Sequence, residues 1–132
     1  MSHDRITFTI GKTLWLTSNR PISNRGYLQR VRNDLHQMAA FEARRQGLAR
    51  WSAPVLACWT VRYPKGVRAD KGEASNAQPT TKALLDGLVQ AGYLPDDGPH
   101  WVTAEHFRRG NNLTEPSIHQ IELLLTDQAV PF

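Results

Sequence analysis

An amphipathic segment of about twenty residues set between β-rich stretches limits this chain most. From Tyr27 the apolar residues fall at Leu28, Val31, Leu35, Met38 and Ala39, in steps of three and four. That spacing predicts a helix running to about Gln46 and stopping at Gly47. Such a helix has to lay its apolar stripe on another layer. The flanking segments supply that layer as a sheet. "RITFTI" (Arg5 to Ile10) and "TLWLT" (Thr13 to Thr17), separated by Gly11-Lys12, predict a strand that turns or continues as a hairpin. "SNRPISNRG" then reads as loop. "PVLACWTVRY" (Pro54 to Tyr63) predicts a strand with Val55, Ala57, Trp59, Val61 and Tyr63 on one face.

Pro79 is placed to open a second helix, with Leu84, Leu85, Leu88 and Val89 as its stripe and Gly92 as its stop. Lys82, Asp86 and Gln90 follow at four-residue spacing on another face. "HWVTAEHF" (His100 to Phe107) and "IHQIELLLT" (Ile118 to Thr126) predict two further strands across the turn-rich "RRGNNLTEP". The order β-α-β-α-β-β points to an α+β (or two-layer α/β) fold, a small mixed sheet packed against two helices. The length of 132 residues suits one domain spanning the whole chain.

Four tryptophans and a hydrophobic fraction of 40% suffice for a core, and Trp15, Trp51, Trp59 and Trp101 are expected to pack it. No apolar run approaches the roughly 18 residues of a membrane span, and Met1 to Arg20 lacks the layout of a signal peptide. A cytoplasmic protein with no membrane partner is expected. The single cysteine, Cys58, excludes an intrachain disulfide and a cysteine-based zinc site, and its apolar surroundings predict a core position.

Charge divides the chain. Between residues 70 and 97, two lysines face five acids, a net of −3, whereas the remainder carries fourteen bases against seven acids, a net of +7. An acidic pocket on a basic body suits a metal-dependent enzyme acting on a polyanion; a solvated acidic loop is the alternative. Other chemistries lack their residues. Gly11-Lys12-Thr13 ends like a phosphate-binding loop, but Ile6 stands where its first glycine belongs. No dinucleotide glycine motif, serine-nucleophile elbow or zinc-ligand histidine spacing occurs, which leaves carboxylates.

Asp70 and Glu73 precede the second helix and Asp96-Asp97 follow it. A helix of about twelve residues is about 18 Å long, so the acids meet only if a loop folds back; the stretch from Asp70 to Gln78 is long enough to do so. Hard oxygen ligands from separate segments would suit Mg²⁺. Lys82 either offsets charge on a phosphorane or forms an i,i+4 pair with Asp86.

The set "EASN" (Glu73 to Asn76), "KALLDGLVQAG" (Lys82 to Gly92) and "DD" (Asp96-Asp97) resembles the RusA-like family of phage and bacterial Holliday-junction resolvases. Its pattern is an acid, one residue, an Asp-Asn pair, a lysine on a "KA..DAL..AG" helix and an Asp-Asp pair. "LTSNRPISNRGYLQRVRNDLHQ" also looks like the family's Asn-rich loop and basic helix, so the likeness covers most of the chain loosely. It implies a homodimeric, Mg²⁺-dependent endonuclease that nicks two opposed strands of four-way DNA. By position the metal-binding and catalytic roles fall on Glu73, Asp97 and Lys82, with Asp96 beside Asp97. Ser75 stands where the second pre-helix acid belongs and three residues are inserted before Lys82, a form similar to an actinobacterial or actinophage branch. Asp70 is the candidate to supply the missing carboxylate.

Asn76 either holds the loop or touches a phosphate. Arg20, Arg25, Arg30, Arg32, Arg44 and Arg45 are candidates for DNA-backbone contacts, or a solvated helix face. A non-catalytic DNA-binding protein is the alternative reading, and Ser75 supports it.

Overall fold

Asn24 sets where the long helix begins. Its side chain accepts a hydrogen bond from the Tyr27 backbone N–H at 2.9 Å, so α1 spans Arg25–Gln46 and starts two residues before the apolar periodicity does. At the other end Gly47 takes the left-handed conformation (φ 73°), and the Leu48 N–H reaches back to the Ala43 carbonyl at 2.9 Å. The computed structural model describes residues 4–68 and 72–127. Within them β1 (Arg5–Gly11), α1, β2 (Val55–Arg62), α2 (Gln78–Gln90), β3 (Val102–Arg109) and β4 (Ile118–Asp127) follow in chain order, with a 3-10 turn at Ala74–Ala77 leading into α2.

The four strands make one mixed sheet in the order β1-β4-β2-β3, antiparallel except for the β2/β3 pair. The fold is α+β, as the periodicities predict. β2, α2 and β3 form a βαβ unit, because parallel neighbours need a crossover and α2 supplies it. Ile6, Phe8 and Ile10, Val55, Ala57, Trp59 and Val61, and Ile121, Leu123 and Leu125 are fully buried in strict alternation, all facing the helices. The Trp59 indole N–H donates to Glu105 Oε2 at 2.7 Å, which satisfies the one polar atom of that buried ring.

Two expectations are corrected. Thr13 to Thr17 is no strand: the Leu14 N–H turns back to the Gly11 carbonyl at 3.0 Å, and Leu16 bonds a side chain of α2, so its backbone groups are spent elsewhere. β4 pairs with β1 instead, in register from Arg5↔Leu124 to Gly11↔Ile118. Cys58 is half-buried rather than core, because its position in the alternation puts it on the sheet face away from the helices. Trp15 and Trp51 are partly buried against the core, so of the four tryptophans Trp59 alone lies fully inside.

The two helices pack closely at Gly87. A Cβ there would sit 2.7 Å from the His36 Cα and carbonyl oxygen and 2.9 Å from the Ala39 Cβ. Glycine in mid-helix costs about 1 kcal/mol relative to alanine. The close approach of backbones, which overpacking would force apart at about 1–3 kcal/mol or more, outweighs that preference. Gly87→Ala is therefore expected to destabilise the protein by about 2 kcal/mol in urea unfolding; unchanged or raised stability would show that the helices can spread without loss.

Candidate active site

Lys82 lies one turn into α2, and its ammonium donates to Asp86 Oδ1 at 2.8 Å, the i,i+4 partner. It also contacts Asp97 Oδ2 in a short ion pair. Asp97 reaches Lys82 because the chain after α2 doubles back along the helix. Tyr93 and Leu94 are buried, the Tyr93 N–H bonds the Leu88 carbonyl at 2.9 Å, and the Tyr93 carbonyl accepts from the Trp51 N–H at 2.9 Å. The Arg50 guanidinium sits 4.3 Å over the Tyr93 ring and fixes the reversal from outside. Asp96 Oδ1 then accepts the Asp97 backbone N–H at 2.8 Å, which orients the turn.

The expected return of the upstream loop is not what joins the helix ends. Ala74–Ala77 winds into a 3-10 turn continuous with α2. Glu73 is exposed at the start of that turn, and its backbone carbonyl accepts the Tyr63 hydroxyl at 2.6 Å. No hydrogen bond or ion pair brings its carboxylate to Lys82, Asp86 or Asp97. Asp70 lies outside the described residues. Gly72 lets the loop press on the Tyr63 ring, where a Cβ would come within 2.9 Å, and the Arg109 guanidinium ties the Gly72 and Val67 carbonyls at 2.7 and 3.0 Å.

Electrostatics follow the geometry. Above all the hydrogen bond from Lys82, and then the neighbouring Asp86, hold the Asp97 carboxyl below its usual range. Desolvation pulls Lys82 down, but its hydrogen bonds to Asp86 and Asp97 outweigh that and leave its pKa above the ordinary value. Two carboxylates thus share one ammonium. Their hard oxygens have the chemistry Mg²⁺ prefers. Among the described residues no three His, Cys, Asp or Glu side chains gather at ligand spacing. The visible donor set is Asp97 and Asp86, with Asp96 adjacent. Asp86, expected only to pair with Lys82, is the addition: its spacing from Lys82 is visible in the sequence, and its approach to Asp97 is not.

The basic candidates separate. Arg32 lines the cavity of about 440 Å³ that also contains Lys82 and Asp86, and Arg20 lines a cavity of about 860 Å³ with Trp15 and Tyr63. Arg25 and Arg30 are exposed on α1. Arg44 and Arg45 lie in its last turn, about 30 Å along the axis from Arg25, and Arg45 is held by Glu42 at 2.6 Å. The hydrogen bonds at Asn76 run through its backbone: its carbonyl accepts the Ser18 N–H at 3.0 Å and its N–H bonds the Glu73 carbonyl at 3.2 Å. Thr80, fully buried, completes this join by accepting the Leu16 N–H at 2.8 Å and donating to the Leu16 carbonyl at 2.7 Å.

Beside this join lies an aromatic cluster that nothing local in the sequence marks. The Trp15 and His119 rings stack 3.8 Å apart at 9°, and the Tyr63 ring meets both edge-on. Burial lowers the His119 pKa from 6.5 to about 4, so the ring is neutral at pH 7. An unfolded chain therefore binds more protons than the folded one between pH 6.5 and 4, and stability is full above that window and lost as pH falls through it. Allowing for partial exposure, roughly 1–2 kcal/mol is at stake. Urea unfolding at pH 7 and pH 4.5 should show the loss, and His119→Phe should flatten it; an equal slope in both proteins would remove His119 as the cause.

No protein-family model matches the chain, and a search of curated proteins finds no match. Among the described residues, no helix is long and apolar enough to cross a membrane.

Proposed function

We propose that the protein is a Mg²⁺-dependent, structure-selective DNA endonuclease that resolves four-way junctions by paired phosphodiester nicks, as the RusA-like resemblance implies. The observation that carries this reading is the meeting of Lys82 with Asp97, residues fifteen apart that the resemblance names together. Asp97, with Asp96 and Asp86 beside it, is the side to which Mg²⁺ would bind. The bound ion would supply Lewis acidity, activating a water and neutralising the scissile phosphate. Lys82 fixes the Asp97 carboxylate in its ionised state and stands ready to donate to a phosphate oxygen as charge gathers there. Arg32, in the same cavity, offers a guanidinium fork to an adjacent phosphate.

Asp70 and Glu73 share the role of the two pre-helix acids, with Ser75 unable to contribute a charge. Asp70→Asn and Glu73→Gln are each expected to lower the nicking rate a hundredfold or more, about 3 kcal/mol of transition-state stabilisation, with partial rescue by raised Mg²⁺. Normal cutting by Asp70→Asn beside a dead Glu73→Gln would leave one working carboxylate in that segment. Normal cutting by both would move the metal site wholly to Asp86, Asp96 and Asp97. A homodimer with a two-fold axis would present two equivalent sites to a two-fold junction, so full activity from a 14.9 kDa monomer in light scattering would contradict that part of the proposal. The reading as a non-catalytic DNA-binding protein rests on Ser75.

A further inference from the structure

Three cavities share walls in series. The largest, about 860 Å³, is lined by Trp15, Tyr27, Tyr63 and His119 together with Lys12 and Arg20. Arg20, Thr17 and Ile22 are also walls of a smaller cavity of about 160 Å³, which reaches Arg32 and Pro79. Arg32 and Pro79 in turn belong to the cavity of about 440 Å³ that holds Lys82 and Asp86. A row of adjoining cavities therefore runs from the aromatic cluster to the Lys82 side chain.

Its chemistry is uneven in an informative way. Lys12, Arg20, Arg32 and Lys82 occur along it in turn, and among the described residues its one carboxylate is Asp86, at the Lys82 end. The far end instead concentrates flat rings. The stack of Trp15 on His119, braced by Tyr63, is a rigid wall already formed, while Tyr27, on the first turn of α1, is 43% exposed over the same space. Aromatic faces beside a line of spaced cations match a single nucleic-acid strand, whose bases stack and whose phosphates repeat. A duplex offers no free base face. The volume lies in the range of pockets that enclose a small organic group, so a nucleotide fits within it.

We propose that the Trp15–Tyr27–Tyr63 cavity receives one unpaired nucleotide of DNA, and that the groove from it to Lys82 carries the strand to which that nucleotide belongs. Only the choice of DNA rests on the endonuclease reading. The tyrosine and the wall hold the base, Lys12 and Arg20 hold the phosphates beside it, and Arg32 passes the strand toward Lys82. Because Leu16 and Ser18 are tied to Thr80 and Asn76, the aromatic end is fixed in position relative to α2. A strand seated in the cavity would thus be registered against the Lys82 side chain.

The test is binding of a 5′-labelled dT12 oligonucleotide, followed by fluorescence anisotropy at low salt in EDTA, where no cutting intervenes. Tyr27→Ala is expected to weaken binding about tenfold. Arg20→Ala is expected to weaken it similarly and to lower the salt slope by about 0.7. Phe41→Ala, which alters a 64% exposed ring on α1 outside the groove, should bind as wild type. Both residues are exposed, so neither variant threatens the fold. Binding by Tyr27→Ala and Arg20→Ala within twofold of wild type would overturn the proposal, as would an equal loss in Phe41→Ala. Tighter binding of the matching rU12 would overturn the assignment to DNA. The groove and the endonuclease reading fail separately: a protein that binds dT12 through Tyr27 and Arg20 yet cuts no junction keeps the groove, and one that cuts junctions with dT12 binding indifferent to both loses it.

Discussion

Asp97→Asn is expected to abolish Mg²⁺-dependent nicking of a four-way junction, with a rate at least three orders of magnitude below wild type, about 4 kcal/mol of transition-state stabilisation. Junction binding should survive or tighten. The substitution keeps the size of the side chain, and the Lys82 contact can persist through the amide oxygen, so the fold has little to lose. What disappears is one negative charge, which a divalent ion requires and a DNA phosphate opposes. Gel nicking and gel shift on the same junction read the two consequences separately. Cutting at near the wild-type rate would remove Asp97 from the site.

The second large effect is expected from Lys82→Met, which keeps the stem and deletes the ammonium. Asp86 and Asp97 then face each other without the cation that now joins them. Nicking should fall a hundredfold or more, about 3 kcal/mol. The pH profile distinguishes catalysis from mere support. Lys82 holds the Asp97 pKa down, so in the wild type Asp97 stays ionised through the usual carboxylate range and its contribution is lost only as pH falls through the lowered value. In the variant the acid limb of the rate profile should move to higher pH. Stability should change little, because an exposed ion pair is worth at most about 1 kcal/mol. Unchanged rate and unchanged acid limb would make Lys82–Asp86 an ordinary surface pair.

Local pattern carried the helices and most strands. The three-and-four spacing from Leu28 to Ala39 and the alternation through Val55 to Val61 each report burial directly, and burial is what the fold realises. Thr13 to Thr17 shows where pattern fails: its residues favour a strand, but β4 claims the edge of β1 and Thr80 claims the backbone of Leu16. Strand order was likewise hidden, since nothing local says that β4 lies between β1 and β2.

The candidate site was legible as residue types and spacing, and illegible as geometry. Asp96-Asp97 and Lys82 stand out in the sequence, yet which loop folds back depends on Tyr93 and Leu94 finding the core, a tertiary event. The aromatic wall of Trp15, Tyr63 and His119 draws on three distant segments, and its members read separately as ordinary core or strand residues. Arg32 became distinguishable from Arg44 and Arg45 only when α1 took its place, because one helix carries basic residues at both its ends.

The most direct test of the central claim is a nicking assay on a synthetic four-way junction labelled on two opposed strands, run with and without Mg²⁺ beside a linear duplex and a single strand of the same sequence. The account predicts Mg²⁺-dependent nicks at symmetric positions on both labelled strands, with duplex and single strand left intact. A junction that is bound but never cut at any Mg²⁺ concentration would contradict it and leave a DNA-binding protein without catalysis.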